Sequence, residues 1–426
     1  MKTLIQNARI LTMDSSNTVY ERGNLLVEDG QIVYVGPESV QGPVDRVLDG
    51  ENRIAMPGMI NCHHHLAMNL LRGEGSDLPL MQWLTEAIWP KEDHLTAEAV
   101  YWASVLGIAE MVSMGVTCFN DMYFFEEETA RACVEAGMRA FLTRGLMDSV
   151  GSGSERLEGN VSLYREWNGA GNDLIRVGLG PHAEYTCSEE YLKQCRDAAQ
   201  KLGCPVHIHV SETKSEVEGC VERHGASPVQ FLNRIGMFDG PAVAAHCVWV
   251  DEADLAVLRE RNVAVSHNPT SNLKLGSGIA PVERMRQLGI TVGLGTDGVA
   301  SNNNMDIWEE MCLAALLQKG SMLDPAAMPV EDVLRMATIQ GAKSLAWQDR
   351  IGSLEAGKRA DLVLVRADTP VMTPATHWQD NLVYAAKSSD VCLTMIDGRV
   401  VYENGTWPTL DVERAMARAA EEAAKL

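Results

Sequence analysis

The central part of this sequence repeats one pattern eight times, a short apolar segment followed by a longer amphipathic one. The apolar segments lie at 59–61, 116–119, 140–142, 175–179, 206–209, 243–246, 264–266 and 291–294. Amphipathic stretches such as 97–111, 188–201 and 251–261 separate them and have helical spacing. Repeated strand–helix units predict parallel strands with right-handed crossovers, and eight of them predict a closed (β/α)8 TIM barrel. A doubly wound open sheet is the alternative fold, but it needs a glycine-rich turn after the first strand, where this chain has histidines.

The two ends of the chain have a different pattern, made of short strands and tight turns. Strand candidates lie at 8–13, 24–28, 31–35, 361–365, 392–396 and 399–402. Asp29-Gly30 and Asp397-Gly398 are typical hairpin turns, and an Ala/Glu-rich helix ends the sequence. We therefore expect a composite β-sandwich domain from residues 1–56 and 357–426, beside a catalytic barrel of residues 57–356.

The composition excludes several classes of partner. The chain carries 36 Lys and Arg against 58 Asp and Glu, a net charge of −22, which repels nucleic acid and anionic lipid surfaces. It has no apolar run of about 18 residues and no apolar core typical of a signal peptide. None of its 10 cysteines forms a C-x-x-C pair. These features predict a cytoplasmic protein with reduced cysteines and no membrane span, and they leave a homo-oligomer open.

Histidines and one aspartate follow the predicted barrel strands. Residues two apart on a strand point to the same side, so His63 and His65 face together and His64 faces away. The fifth and sixth strands end at His209 and His246, and the eighth leads into Asp297. Because barrel active sites lie at the carboxyl ends of the strands, these side chains are expected to converge on one divalent metal ion.

Motifs around these residues resemble the amidohydrolase superfamily. They are Pro57-Gly58-Met59-Ile60-Asn61-x-His63-x-His65, His207-x-His209, Ala245-His246, Gly295-Thr296-Asp297-Gly298 and the segment 351–362. More narrowly, the chain resembles the deaminases of S-adenosylhomocysteine and 5′-methylthioadenosine. That resemblance lies in the stretches 70–73, 122–124, 143–145, 180–182, 266–276 and 296–303.

The resemblance implies one metal ion held by His63, His65, His209 and Asp297. Two-metal members carry a bridging lysine near the end of the fourth strand, and no lysine stands there, in Gly180-Pro181-His182. Nitrogen and carboxylate ligands at an open site favour Zn²⁺, and Fe²⁺ or Mn²⁺ fit the same ligands. His207 shares a strand face with His209 and is the competing ligand; we favour His209, which is nearer the strand end.

The same resemblance assigns the chemistry. The metal would acidify a water that attacks the amino-bearing ring carbon, with His246 and Asp297 orienting the water and taking its proton. Glu212, three residues after His209, would carry a proton to the neighbouring ring nitrogen. The alternative for Glu212 is a carboxylate that only stabilises a helix N-terminus.

The same resemblance implies that further residues bind a nucleoside substrate. Glu92 would accept hydrogen bonds from the ribose, and His182 would contact the ribose or base. Trp83 would pack on the thioether side, and Ser301 would bind the ring or orient Asp297. Arg144 and Arg156 would clamp an amino-acid carboxylate, because a guanidinium matches a carboxylate.

We therefore expect a metal-dependent hydrolytic deaminase of S-adenosylhomocysteine and 5′-methylthioadenosine, or of adenosine and 5′-deoxyadenosine. Other hydrolases on the same scaffold remain alternatives, namely guanine, cytosine or pterin deaminases and triazine hydrolases. A non-catalytic metal-binding barrel is a third hypothesis. It predicts the loss of a water-activating residue, and none is missing from this sequence.

Overall fold

The computed structural model describes all 426 residues and contains seventeen strands. In chain order they are β1 Lys2–Leu11, β2 Val19–Glu28, β3 Gln31–Gly36, β4 Arg46–Asp49, β5 Arg53–Pro57, β6 Met59–His64, β7 Val116–Tyr123, β8 Arg139–Leu146, β9 Ile175–Val177, β10 Gly180–Pro181, β11 Val206–Val210, β12 Ala242–His246, β13 Ala264–His267, β14 Val292–Leu294, β15 Leu362–Arg366, β16 Val391–Ile396 and β17 Arg399–Glu403.

Strands β6 to β14 form the barrel. The parallel ladder β6-β7-β8 continues to β9 and β10, which both pair with β8, and a second parallel ladder runs β11-β12-β13-β14. A parallel bridge between Leu179 and Val206 joins the two ladders. The ring closes where the Asp297 amide donates to the His63 carbonyl over 3.0 Å. The predicted (β/α)8 barrel is therefore confirmed.

The fourth barrel strand was predicted as one segment at 175–179. The structure divides it into two short strands, because the backbone changes its hydrogen-bonding partner strand there. Ile175–Val177 pairs with β8, and Gly180–Pro181 returns to β8 after Leu179 has bonded across to the next ladder. Gly178 lies at the break. A Cβ there would meet the Phe141 ring at 2.5 Å and the Pro205 carbonyl oxygen at 2.6 Å, so a larger residue would push the ladders apart.

The chain ends build a separate sheet. Its order is β17-β16-β15-β5-β1-β2-β3, with β4 on β1. Side chains of β5 and β15 alternate between two cores. Ala55, Leu362 and Leu364 belong to an apolar cluster inside this sheet, while Ile54 and Val363 join the main core. The period of two along a strand thus attaches the terminal sheet to the barrel.

Helices cover the outside of the barrel. They are Leu80–Gln82, Trp83–Ile88, Trp89–Glu92, Ala97–Ser113, Glu126–Ala136, Gly153–Trp167, Ala170–Asp173, Glu189–Leu202, Lys214–His224, Pro228–Arg234, Glu252–Glu260, Pro269–Lys274, Val282–Gln287, Val299–Asn302, Ile307–Met322, Val330–Met336, Ile339–Ser344, Trp378–Tyr384 and Val412–Ala423, with short 3-10 turns at Leu66–Leu71, Pro370–Met372, Ala375–His377 and Ser388–Asp390.

Polar caps begin the helices predicted from periodicity. Thr96 and Ser188 accept hydrogen bonds from the amides of Ala99 and Tyr191, and Asp251 forms a capping box. No single helix is long and apolar enough to cross a membrane. The segments 80–92 and 97–113 pass that test only as a pair, which is bent by 113°.

Candidate active site

The strand-end histidines meet inside the mouth of the barrel. His63 and His65 come from the end of β6, and their ring centroids are 4.8 Å apart. The His63 ring is also 4.7 Å from that of His209 and 5.3 Å from that of His246. His64 points elsewhere, with its Nδ1 2.6 Å from the Asp297 carbonyl oxygen, and so helps to close the ring. The alternation of side chains along β6 thus separates a site pair from a structural histidine.

Asp297 brings a carboxylate to the same point. Its Oδ1 lies 3.2 Å from Nε2 of both His63 and His65, and His65 Nε2 is 3.3 Å from His209 Nε2. The Gly298 amide donates to Oδ1 over 2.8 Å. Ser271 and Ser301 donate to Oδ2 over 2.6 and 3.2 Å. Each carboxylate oxygen is thereby held in a fixed direction.

Carbonyl oxygens behind two of the histidines fix which ring nitrogen faces the centre. His65 Nδ1 is 2.6 Å from the Met122 oxygen, and His209 Nδ1 is 2.7 Å from the His182 oxygen. A carbonyl only accepts, so each Nδ1 carries the proton and Nε2 faces inward. Burial holds the pKa of His209 well below its usual value, so its Nε2 presents a lone pair.

His65 is differently poised. Burial opposes its charge, but the Asp297 carboxylate outweighs this and raises the pKa of His65 to about 9. Its Nε2 therefore holds a proton or a metal ion. The buried His63 Nε2 forms no hydrogen bond, although Asp297 Oδ1 is 3.2 Å away. The converging atoms form two overlapping groups that could hold a metal ion, His63 with His209 and His246, and His63 with His65 and Asp297. Imidazole nitrogens and a carboxylate oxygen at this spacing fit a divalent metal ion.

His207 lies behind this cluster rather than in it. Its Nε2 is 2.8 Å from His63 Nδ1, and its Nδ1 is 3.5 Å from the Thr143 hydroxyl, which donates to the Asp121 carbonyl. Because that hydroxyl donates its hydrogen to Asp121, it accepts from His207 Nδ1. His207 Nε2 is then the acceptor for His63 Nδ1, which leaves the lone pair of His63 on Nε2, facing the centre. Such partners fix the tautomer and the direction of a metal-binding histidine.

His246 and Glu212 face the cluster from the opposite side. Asn272 Oδ1 lies 2.8 Å from His246 Nδ1, and His246 Nε2 has no hydrogen-bond partner. That Nε2 is 3.8 Å from Glu212 Oε2 and 3.9 Å from Asp297 Oδ2. Burial raises the pKa of Glu212. The pair therefore places an unpartnered imidazole nitrogen and a buried carboxyl at one position.

Backbone strain marks the same residues. Ser211, His246 and Asp297 have φ angles of 53°, 74° and 59°, in the left-handed region that few non-glycine residues occupy. Strain of this kind persists where surrounding contacts impose it, and it concentrates at functional sites.

The predicted substrate residues line two connected cavities. A narrow one of about 60 Å³ lies against the cluster and is walled by Trp83, His182 and Glu212. A wider one of about 620 Å³ opens beside it, and Glu92 and Tyr123 line both. Ser301 is buried under Asp297 and lines neither cavity. Its hydroxyl contacts Asp297, donating to Oδ2 over 3.2 Å.

Glu92 stands at the junction of the two cavities. The Tyr123 hydroxyl donates to Glu92 Oε1 over 2.7 Å, and burial raises the pKa of this carboxyl. Trp83 is held by its indole N–H, which donates to the Glu74 carbonyl over 3.2 Å. His182 Nδ1 is 2.9 Å from the Thr186 hydroxyl, and its own carbonyl anchors His209.

The two arginines line the wider cavity, but only one of them is ion-paired. Arg144 is ion-paired with Glu127. Arg156 lies over the Phe124 ring, 5.4 Å from its centroid, and has no carboxylate partner. Sequence reasoning overlooked Glu127. The run Glu126-Glu127-Glu128 beside the predicted clamp was the available signal.

Comparison with known proteins agrees with this geometry. The model of the amidohydrolase family matches residues 54–401, and the chain belongs to this family. A protein of Thermoanaerobacter pseudethanolicus named 5-methylthioadenosine/S-adenosylhomocysteine deaminase is 45% identical over 428 residues, covering 100% of this chain and 99% of the relative. A Pelotomaculum thermopropionicum protein of the same name is 46% identical over 430 residues, covering 99% and 98%.

Solved structures show the same fold. An adenosine deaminase from Xanthomonas campestris with bound zinc is 34% identical, with a TM-score of 0.96 and coverage of 99% of this chain and 98% of that one. An atrazine chlorohydrolase from Arthrobacter aurescens, 24% identical with a TM-score of 0.92, covers 99% of this chain and 100% of its own. At that identity the second likeness concerns the fold alone.

Proposed function

We propose that this chain is a zinc-dependent hydrolytic deaminase of 5′-methylthioadenosine and S-adenosylhomocysteine, releasing the inosine analogue and ammonia. The observation that carries the proposal is one continuous space. It runs from the metal-fitting cluster, past Glu212 and His246, to Glu92 and then to two arginines. The names of the full-length relatives and the zinc in the Xanthomonas campestris structure support it.

His63, His65, His209 and Asp297 are the proposed ligands of one zinc ion. When bound there, zinc would supply a water whose pKa is lowered toward neutrality. His246 Nε2 has no hydrogen-bond partner and lies 3.9 Å from Asp297 Oδ2, so the two are placed to orient this water and take its proton. The Ser271 and Ser301 hydroxyls keep Oδ2 turned toward His246.

Glu212 is the proposed proton carrier. Addition of water at C6 of the adenine ring requires a proton on N1, and loss of ammonia requires another on the departing nitrogen. Burial raises the pKa of Glu212, which favours the protonated form that this role needs. The carbon–nitrogen bond at C6 then breaks, and the ring keeps the oxygen.

The remaining residues select the substrate. Glu92 accepts from the ribose hydroxyls, since its carboxylate retains acceptor capacity beside the Tyr123 hydroxyl. His182 and Trp83 hold the base and the 5′ sulfur in the narrow cavity. The unpaired Arg156 attracts the amino-acid carboxylate of S-adenosylhomocysteine at the far end, and Arg144 supports it.

A parallel ultraviolet assay of the zinc-loaded protein tests the proposal. The substrates are S-adenosylhomocysteine, 5′-methylthioadenosine, adenosine, 5′-deoxyadenosine, guanine and cytosine, and the readout is the adenine-to-hypoxanthine spectral change. We expect turnover of the thio-nucleosides. Activity on a free base alone would overturn the substrate assignment, and a metal-replete protein inert toward all six would overturn the deaminase itself.

Glu92→Gln isolates the nucleoside contact. Hydrogen bonds to a charged group contribute about 1.5–3 kcal/mol, so kcat/KM for thio-nucleosides should fall about 10- to 150-fold. Glu86→Gln is the control, because Glu86 is an exposed carboxylate on the same segment. Unchanged turnover in Glu92→Gln would remove Glu92 from the substrate site.

A further inference from the structure

Glu216 holds the backbone that carries Glu212. Its two carboxylate oxygens accept from consecutive amides, Oε1 from Ser211 over 2.8 Å and Oε2 from Glu212 over 2.7 Å. Glu216 is only 6% exposed and lies in the first turn of the helix Lys214–His224. Thr213 caps this helix by accepting from the Glu216 amide. The backbone of the segment after β11 is thus held by hydrogen bonds to side chains of the same segment.

The chain direction explains why a carboxylate stands there. Ser211 has a φ of 53°, which turns the backbone sharply out of β11 and directs its amide and the next one to the same side. Two neighbouring buried donors need two acceptors, which a carboxylate provides. A glutamine offers one acceptor and sets its NH₂ group against the second amide.

The Glu212 side chain has little else to hold it. Its nearest hydrogen-bond donor is the Ser277 hydroxyl at 3.4 Å, a long contact, and His246 Nε2 is 3.8 Å away. The direction of this carboxylate therefore follows from its backbone, and its backbone follows from Glu216.

We infer that Glu216 is a positioning residue, which aims the Glu212 carboxyl at the reacting ring by clamping the Ser211 and Glu212 amides. This inference rests on the proposed deaminase function and adds a residue to it. Glu216 itself lines neither cavity. It acts only through the placement of Glu212.

Glu216→Gln tests the inference in the zinc-loaded full-length enzyme with 5′-methylthioadenosine. A displacement of about 1 Å at a reacting group can cost about 100-fold in rate, so kcat should fall by about 10- to 100-fold. KM and the zinc content should stay unchanged, since the substrate contacts and the metal ligands are untouched. Glu218→Gln is the matched control, because Glu218 lies on the same helix, is exposed and pairs with Lys214; it should keep the wild-type kcat.

A double variant separates positioning from general damage. If Glu216 works through Glu212, Glu216→Gln adds no further loss of kcat to Glu212→Gln. An additive loss, a loss of zinc, or a wild-type kcat in Glu216→Gln would overturn the inference. Glu216→Asp keeps both acceptor oxygens and should recover part of kcat. If Glu216→Gln does not fold, Glu216→Asp replaces it in the double variant with Glu212→Gln. A wild-type enzyme inert toward every aminopurine would instead refute the proposed function.

Discussion

Arg139 offers a sharp test of how the barrel and the terminal sheet are joined. It begins β8, and Asp361 lies just before β15. Arg139 Nε donates to Asp361 Oδ2 over 2.7 Å and Nη2 to Oδ1 over 3.2 Å. Arg139 is 1% exposed and Asp361 3%, so water cannot replace either partner. Arg139→Met keeps the apolar length of the side chain but leaves a buried carboxylate whose remaining donor is the Asp397 amide at 2.8 Å.

The magnitude follows from that uncompensated charge. Removing one partner of a buried ion pair costs about 3–5 kcal/mol. At about 2.1 cal/mol/K per residue, a chain of 426 residues has an unfolding entropy near 0.9 kcal/mol/K, so Tm should fall by about 3–6 °C. Urea unfolding with two probes, one for each part of the chain, measures the loss and checks that the two parts unfold together.

Two comparisons make the result decisive. Adding Asp361→Asn to Arg139→Met removes the stranded charge and should recover about 1–2 kcal/mol, a coupling typical of contacting residues. Lys193→Met is the control, since the exposed pair of Lys193 with Glu189 contributes about 1 kcal/mol or less. A loss in Arg139→Met no larger than in this control, or no recovery in the double variant, would refute the reasoning.

Three further predictions concern the site and its surroundings. His207→Phe removes the acceptor that orients His63 and should weaken zinc binding about 10- to 100-fold, measured by competition with a chelator. Arg156→Met should lower kcat/KM for S-adenosylhomocysteine about tenfold or more and leave 5′-methylthioadenosine unchanged; an equal effect on both substrates would exclude a carboxylate contact. Arg286 lowers the pKa of Glu283 from 4.5 to about 2, so this pair stabilises the fold above pH 4.5, and its contribution is lost as the pH falls to about 2. The difference in Tm between wild type and Glu283→Gln should accordingly be largest near neutrality and should disappear in strong acid. A difference in Tm that stays constant with pH would contradict this.

Local patterns were enough to predict the architecture. Each of the eight barrel strands was located by a short apolar run, because a strand buried on both faces needs one. The helices Ala97–Ser113, Glu189–Leu202 and Glu252–Glu260 lie within two residues of their predicted positions, since periodicity and caps are properties of neighbouring residues. Only the division of the fourth strand into two short pieces was not predicted, because it depends on pairing with the neighbouring ladder.

The site shows where local reasoning stops. His207 and His209 share a strand face, and a period of two cannot separate them. The second lies about 6.6 Å further along the strand at about 3.3 Å per residue, which places it at the rim beside His65 and leaves His207 behind His63. Likewise, no spacing in the sequence foretold that Arg144 would pair with Glu127 while Arg156 stayed free.

The sequence by itself determined the barrel, the strand-end positions of its histidines and Asp297, and the family to which the chain belongs. These follow from backbone periods of a few residues and from motifs that are contiguous in the chain. Only the tertiary structure decided which nitrogen of each histidine faces the centre and which arginine has no ion-pair partner. It alone also showed that Glu216 holds the Glu212 backbone. Those outcomes depend on ring closure and strand register, which bring together atoms from residues as far apart as His63 and Asp297, and no local pattern encodes such distances.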